Sequence, residues 1–284
     1  MRVITAATTK TLPHYSHHVN LFARHYTTFY VFLNTRVAPF NDVRVRRAIN
    51  YAVDRNHMVD LRGGPELQQP SCQVLPPNIA GYRRHCPYTI DPSPDGRYTG
   101  PDLETARRLV AASGTRGQEV TVYGGAGIFQ EHGGDYFVSV LRNLGYTARF
   151  KNIRATHYNA TVADSRRKFQ AGIGGWQSDY PSAAGFLQAL LSRSSFIPRS
   201  VGNNNRAEFC NHRIDAEIAR ASALQTTDPY AASKLWRKID RDVVDQAPWV
   251  FLQNSQHVDF VSRRVGNYQY NPQWGALLDQ LWVR

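Results

Sequence analysis

The 284-residue chain has no apolar run approaching the ~20 residues needed to cross a bilayer as a helix. Its first ten residues, Met1 to Lys10, lack the charged-then-apolar pattern of a secretory signal. It has no Gly-Lys-Ser/Thr to cradle phosphate and no Gly-x-Ser-x-Gly nucleophile elbow. Lysine is scarce: five of the 34 basic residues, the rest being Arg. Three cysteines are too few for a disulfide scaffold. Cys72 and Cys86 flank a Pro-rich loop and Cys210 stands apart. A pair this close can close a disulfide, worth ~3 kcal/mol in the chain-entropy picture. An intracellular setting would leave both as free thiols.

What is present is a folded chain. A hydrophobic content of 42% supports a real core and argues against disorder. The length suits one large domain or two small ones. The net charge of +12 raises the question of nucleic acid or an anionic surface. The arginines, however, fall in scattered pairs: Arg46-Arg47, Arg83-Arg84, Arg166-Arg167 and Arg263-Arg264. No basic stripe interleaved with aromatics emerges. An Arg-rich composition accounts for the charge, and no nucleic-acid partner is expected.

Patterning along the chain reads as α/β. Residues 1–26 are polar and poorly patterned. Thr27 to Leu33 is β-branched and aromatic, a buried strand. Pro39 and Asn41-Asp42 open a helix with Val45, Ala48, Ile49, Ala52 and Val53 on one face, stopped by Gly63-Gly64. Residues 65–100 read as one long loop, of the kind that is functional or tied down. A helix follows from Pro101 or Asp102 to Gly114. Then come a strand at Glu119–Tyr123, a helix closed by Gly145, a strand at Tyr146–Ile153, a helix through Tyr158–Phe169 and a strand near Gly172–Trp176. That alternation predicts a sheet with helical crossovers. Further helices are expected over Pro181–Leu191, Ile214–Ala223 and Pro229–Asp245, and short strands at Trp249–Leu252 and Val258–Val261.

The candidate chemical motifs are sparse. Gly124-Gly125-Ala126-Gly127 follows a strand but lacks a partner Lys or downstream acid, so it reads as a strand-end loop. His14, His17, His18 and His25 cluster without a carboxylate or Cys, and His85 beside Cys86 also lacks a ligand set. No metal and no cofactor are expected. Asp179 stands almost alone beside Trp176 and Tyr180. One acid among aromatics suits binding of a cation or amine better than acid–base chemistry, which uses two tuned groups. The alternative is that Trp176 is core and Asp179 caps a helix starting at Pro181.

Four segments carry a resemblance. Tyr30 to Asp54 reads YVFLNTRVAPFNDVRVRRAINYAVD, with Pro-Phe-x-Asp and Val-Arg-x-Ala in order, and Arg55 next completes Ala-x-Asp-Arg. Gly174 to Leu187 reads GGWQSDYPSAAGFL. Asn204 to Asp215 contains Phe209-Cys210-Asn211, and Trp236 to Leu252 contains Gln246-Ala247-Pro248-Trp249-Val250. Together these resemble the extracytoplasmic solute-binding proteins of peptide and nickel ABC importers, family 5. Pro181 departs from the acid or Gly of many relatives.

The resemblance implies a type II periplasmic-binding-protein-like fold of two α/β lobes closing on a peptide or similar small solute. A membrane permease then receives the solute. It implies a monomer outside the cytoplasm and no enzyme activity, and that setting favours the Cys72–Cys86 disulfide, with Cys210 unpaired and buried. The acid three residues after the Trp, here Asp179, would hold a peptide's amino group, with Trp176 and Tyr180 beside it. Residues 35–257 are expected to form the second lobe, 1–34 a residual first-lobe or hinge segment, and 258–284 a return to the first lobe. Whole members carry a long stretch and an export signal before the strand at Tyr30, so this chain is expected to be incomplete. Tyr30–Leu33 and Leu277, Leu278, Leu281 and Trp282 would then be short of packing surface. The competing readings are a peptide hydrolase, disfavoured by the missing nucleophile and base, and a basic nucleic-acid binder, marked by salt-steep affinity.

Overall fold

The computed structural model describes residues 19–22, 27–262, 264–271 and 274–284. His14, His17, His18, His25 and Arg263 lie outside them.

The segment TTFYVFL forms β2 (Thr27–Leu33) at the centre of a six-stranded sheet. Its neighbours are β7 (Trp249–Ser255) and β6 (Ala171–Gln177), both antiparallel to it. The full order is β3 (Gln68–Pro70), β7, β2, β6, β4 (Glu119–Gly125) and β5 (Thr147–Ile153). Alternation sends Tyr30 and Phe32 to one face and Val31 and Leu33 to the other. All four are at most 2% exposed. The expectation that this strand lacks packing surface is therefore corrected: sheet neighbours flank it and helices cover both faces. Leu278 and Trp282 in the tail are exposed, while Leu277 and Leu281 are partly buried.

Helices pack on both faces. One face carries α1 (Val43–Ala52), α2 (Arg55–Leu61), α3 (Leu103–Ser113) and α4 (Ile128–Asn143). The other carries α5 (Ala155–Ala163), α6 (Ala184–Leu191), α7 (His212–Thr227) and α8 (Pro229–Gln246). Strands β4, β5 and β6 are parallel and joined through α4 and α5. Outside this sheet, β1 (Val19–Phe22) pairs with β8 (His257–Phe260). The short strand β9 (Val265–Gly266) pairs with β12 (Trp282–Val283), and β10 (Tyr270–Asn271) with β11 (Gly275–Ala276).

Local chemistry sets the helix ends. Asp42 and Asp102 cap α1 and α3 through the backbone N–H groups of Arg44 and Thr105, and left-handed Gly114 closes α3. The helix expected over Tyr158–Phe169 instead spans Ala155–Ala163. Asp164 ends it and starts a short turn closed by left-handed Lys168. The helix expected from Pro181 starts at Ala184, because Ser182 N–H first turns back onto the Tyr180 carbonyl at 2.7 Å. Cys210 is unpaired but exposed, not buried as expected. Asn205 grips both backbone groups of Phe209, which fixes that ring inside and leaves Cys210 outside.

The long connection 65–100 is tied down in four ways. Its first part forms β3 on the sheet edge, where Pro70 is tolerated. Cys72 and Cys86 form a disulfide, with Cα atoms 4.9 Å apart. Fully buried Arg55 donates to the carbonyls of Ser71 (3.0 Å), Tyr88 (3.3 Å) and Asn50 (3.0 Å). Asp240 of α8 is buried too, accepting from Gln73 Nε2 at 2.7 Å and from the N–H groups of Val74 and Leu75 at 3.0 and 3.4 Å.

Burial pushes the Asp240 carboxyl up to about 7, against the pull of those three donors. A raised native pKa makes the folded state bind the proton that the unfolded state has lost. The resulting stability is full below pH ~4 and disappears as pH rises through about 7. Wild type should therefore lose stability relative to Asp240→Asn between those limits, measured by denaturant midpoints across pH 4–8. The comparison cancels the contribution of His85, whose pKa burial lowers. Parallel profiles would contradict the assignment.

Candidate functional site

The sheet opens where β4 and β6 part. Their pairing ends at Tyr123↔Gly172, yet β6 runs on to Gln177 against β2. Residues 174–176 therefore have β2 as their one strand neighbour among the described residues. The Tyr158 hydroxyl sits in the fork, 2.6 Å from the Ile173 carbonyl and 3.1 Å from that of Tyr123. Strands β5 and β6 lie on opposite sides of β4, and α4 and α5 on opposite faces. Such a reversal leaves a crevice at the carboxyl ends of the parallel strands, where α/β folds bind ligands.

The crevice is a groove. Two hollows of about 320 and 360 Å³ merge along it, sharing Phe29, Gln130, Ile173, Gly174 and Gly175. Each is of the size that takes a small solute. Arg62 lies at one end, and Trp176 and Arg206 line the other hollow. Gly174 and Gly175 face Tyr30 and Phe29 across the β2–β6 ladder. A Cβ on Gly174 would lie 2.7 Å from the Tyr30 ring, and one on Gly175 would lie 2.6 Å from the Phe29 ring. The rings occupy the space that glycine leaves, an arrangement that stabilises a Gly-bearing strand.

Of the three residues singled out from sequence, Trp176 lines the groove. It is partly buried, and its indole N–H donates to the Gly185 carbonyl at 2.9 Å, which ties the end of β6 to α6. Asp179 and Tyr180 sit in the turn beyond and do not line the groove; both are exposed. Asp179 does not cap α6, whose N-cap is Ala183 with no side-chain bond. Sequence reasoning missed Phe29, Arg62, Phe129, Gln130, Tyr158 and Arg206. The segment holding Gly174, Gly175 and Trp176 was the signal that a groove passes here.

Other candidates resolve simply. Gly124 and Gly125 end β4 and Gly127 precedes α4, with Gln130 Oε1 accepting from Gly125 N–H at 2.9 Å. Glu131 approaches the Gly127 N–H at 3.5 Å, placing a carboxylate where a phosphate would sit. A smaller cavity of about 190 Å³ lies beside the disulfide, lined by Gln73, Tyr82, Arg84 and His85 among others. Among the described residues, no three His, Cys, Asp or Glu side chains gather to hold a metal ion. None of the described helices is long and apolar enough to cross a membrane.

A helix-covered mixed sheet with a groove at its strand ends is the architecture of a type II periplasmic binding protein lobe. Residues 4–196 match the model for bacterial extracellular solute-binding proteins, family 5 (Middle), and the chain belongs to that family. It is 29% identical over 252 residues to Heme-binding protein A of Haemophilus influenzae, covering 86% of this chain and 42% of that protein. It is 24% identical over 261 residues to the Glutathione-binding protein GsiB of Salmonella typhimurium, covering 88% and 46%. The solved structure of Clavulanic acid biosynthesis oligopeptide binding protein 2 superposes with a TM-score of 0.85 at 25% identity, covering 98% of this chain and 50% of that one. The chain thus spans less than half the length of the curated relatives it matches.

The glycine packing is testable. Tyr30 cannot yield to a methyl at Gly174, because its ring stacks on Trp249 with centroids 3.6 Å apart. Gly174→Ala should destabilise the fold by about 1–3 kcal/mol, the scale for overpacking. Gly202→Ala is the control, since its nearest atom would be Ser200 Oγ at 3.6 Å. Equal denaturant stabilities for the two variants would contradict this packing.

Proposed function

We propose that the groove along β6 is this chain's share of a solute-binding cleft, and that the whole protein captures a peptide or similar small solute outside the cytoplasm for an ABC importer permease. The carrying observation is the open edge of residues 174–176 along the groove. An extended solute adds to such an edge through main-chain hydrogen bonds, which accept many side chains. Trp176 forms a wall. Asp179, exposed three residues further on, holds a free amino group at the rim. Residues 35–257, with β2 in their sheet, act as one lobe. Binding between lobes stabilises the closed form that a permease recognises. The function is capture of solute, with no catalytic step. The names of relatives support this reading, since they include binders of heme, glutathione and oligopeptides.

Calorimetric titration of the whole protein with a set of free tripeptides tests it. Wild type should give a saturable heat with members of the set. Asp179→Asn should weaken that binding by about 1.5–3 kcal/mol, the range for a hydrogen bond to a charged group. No saturable heat across the set would contradict peptide capture. Unchanged affinity in a folded Asp179→Asn would remove Asp179 from the site.

A further inference from the structure

Partly buried Arg62 is placed unlike the buried Arg46 and Arg55. Arg46 donates to the carbonyls of Phe40 and Gln246, and Arg55 to those of Ser71, Asn50 and Tyr88. Each of those charges is offset by backbone oxygen. Arg62 follows α2 and lies against two aromatic rings at the end of the groove. Its guanidinium carbon is 3.4 Å from the Phe29 ring centroid and 4.3 Å from that of Phe129. The rings come from β2 and α4, 6.2 Å apart and edge to face, so they hold the cation from two elements. Such contacts attract a cation but satisfy none of its N–H donors.

The donors are left over. Nη1 is shut from water with no acceptor, while the side chain as a whole still lines the groove. Burial lowers the Arg62 pKa to about 10, with no carboxylate acting to raise it, so the group stays charged at neutral pH. A partly buried charge without an anionic partner is costly. The groove offers it none: among its described lining residues there is no Asp or Glu, and Arg206 adds a second cation. A guanidinium carries several N–H donors in one planar fork, the geometry that a carboxylate matches.

We propose that Arg62, stacked on Phe29 and Phe129, is the subsite for a carboxylate on the bound solute. This rests on the groove being the solute's seat. It narrows the solute class to molecules with a planar acid group, such as a peptide with a free carboxyl terminus. The two rings hold the guanidinium at the end of the groove, where it meets the acid group of the solute.

The test uses the whole protein and two equimolar tripeptide libraries of the same sequences, one with free carboxyl termini and one amidated. Retention is read by native mass spectrometry. Wild type should retain the free acids about tenfold or more over the amides, the factor expected for a hydrogen bond to a charged group. Arg62→Gln should bring the two libraries to parity. Arg62→Lys, which keeps the charge but not the planar fork, should keep part of the preference and shows that a loss in Arg62→Gln is not a collapsed groove. Equal retention of both libraries by wild type would overturn the carboxylate subsite while leaving peptide capture standing. A preference that survives in Arg62→Gln would also overturn it, by putting the carboxylate elsewhere. Retention of neither library would overturn both the subsite and peptide capture.

Discussion

The packing of β2 aromatics over β6 glycines is the constraint on which the rest of the structure depends. Phe29, Tyr30 and Phe32 stand opposite Gly175, Gly174 and Gly172 in register. Each ring fills the space a Cβ would need, within 2.6–2.7 Å. Tyr30 is held in turn by Trp249 of β7, so three adjacent strands lock together. Glycine also leaves the outer stretch of β6 without side chains of its own at 174 and 175. The same residues that let the central strands close thus keep one strand edge open to a solute. Core packing and binding surface are two sides of one arrangement.

The basic composition finds its explanation in the helices and loops. Arg46 and Arg47 donate to the carbonyls of Gln246 and Asp245, capping the C-terminal end of α8, where the helix dipole favours positive charge. Arg55 gathers the long connection around its guanidinium. Arg166 and Arg167 pair with Asp164 at the close of α5. These arginines serve the fold, which is why their scattered spacing gave no stripe for nucleic acid. Arg62 differs because its partners are rings, and rings leave its donors unmet.

Much of the fold was legible because it rests on local patterns. The apolar run at Thr27–Leu33 is what a strand covered on both faces requires. The alternation from Asp102 to Trp176 carries its own punctuation in Asp102, Gly114 and Gly145. Boundaries slipped where a polar residue cut in, as at Asp164 and at the Tyr180–Ser182 turn. The strand β3 was hidden in its Pro-rich loop because it is three residues long and exists through its pairing with β7. The site was less legible. Trp176 announced itself through the family motif, but Arg62, Phe129 and Tyr158 come from three separate helical regions. Only the meeting of the α2 end, α4 and α5 at the groove brings them together, and no spacing in the chain encodes that meeting.

The central claim is that solute lies along residues 174–176. Amide hydrogen exchange of the whole protein, with and without a saturating free tripeptide mixture, addresses it most directly. The account predicts slowed exchange at Gly174, Gly175 and Trp176, on the edge that β4 leaves uncovered. Protection confined to the cavity beside the disulfide, around Gln73, Tyr82 and His85, would contradict it and move the binding site to the other side of the long connection.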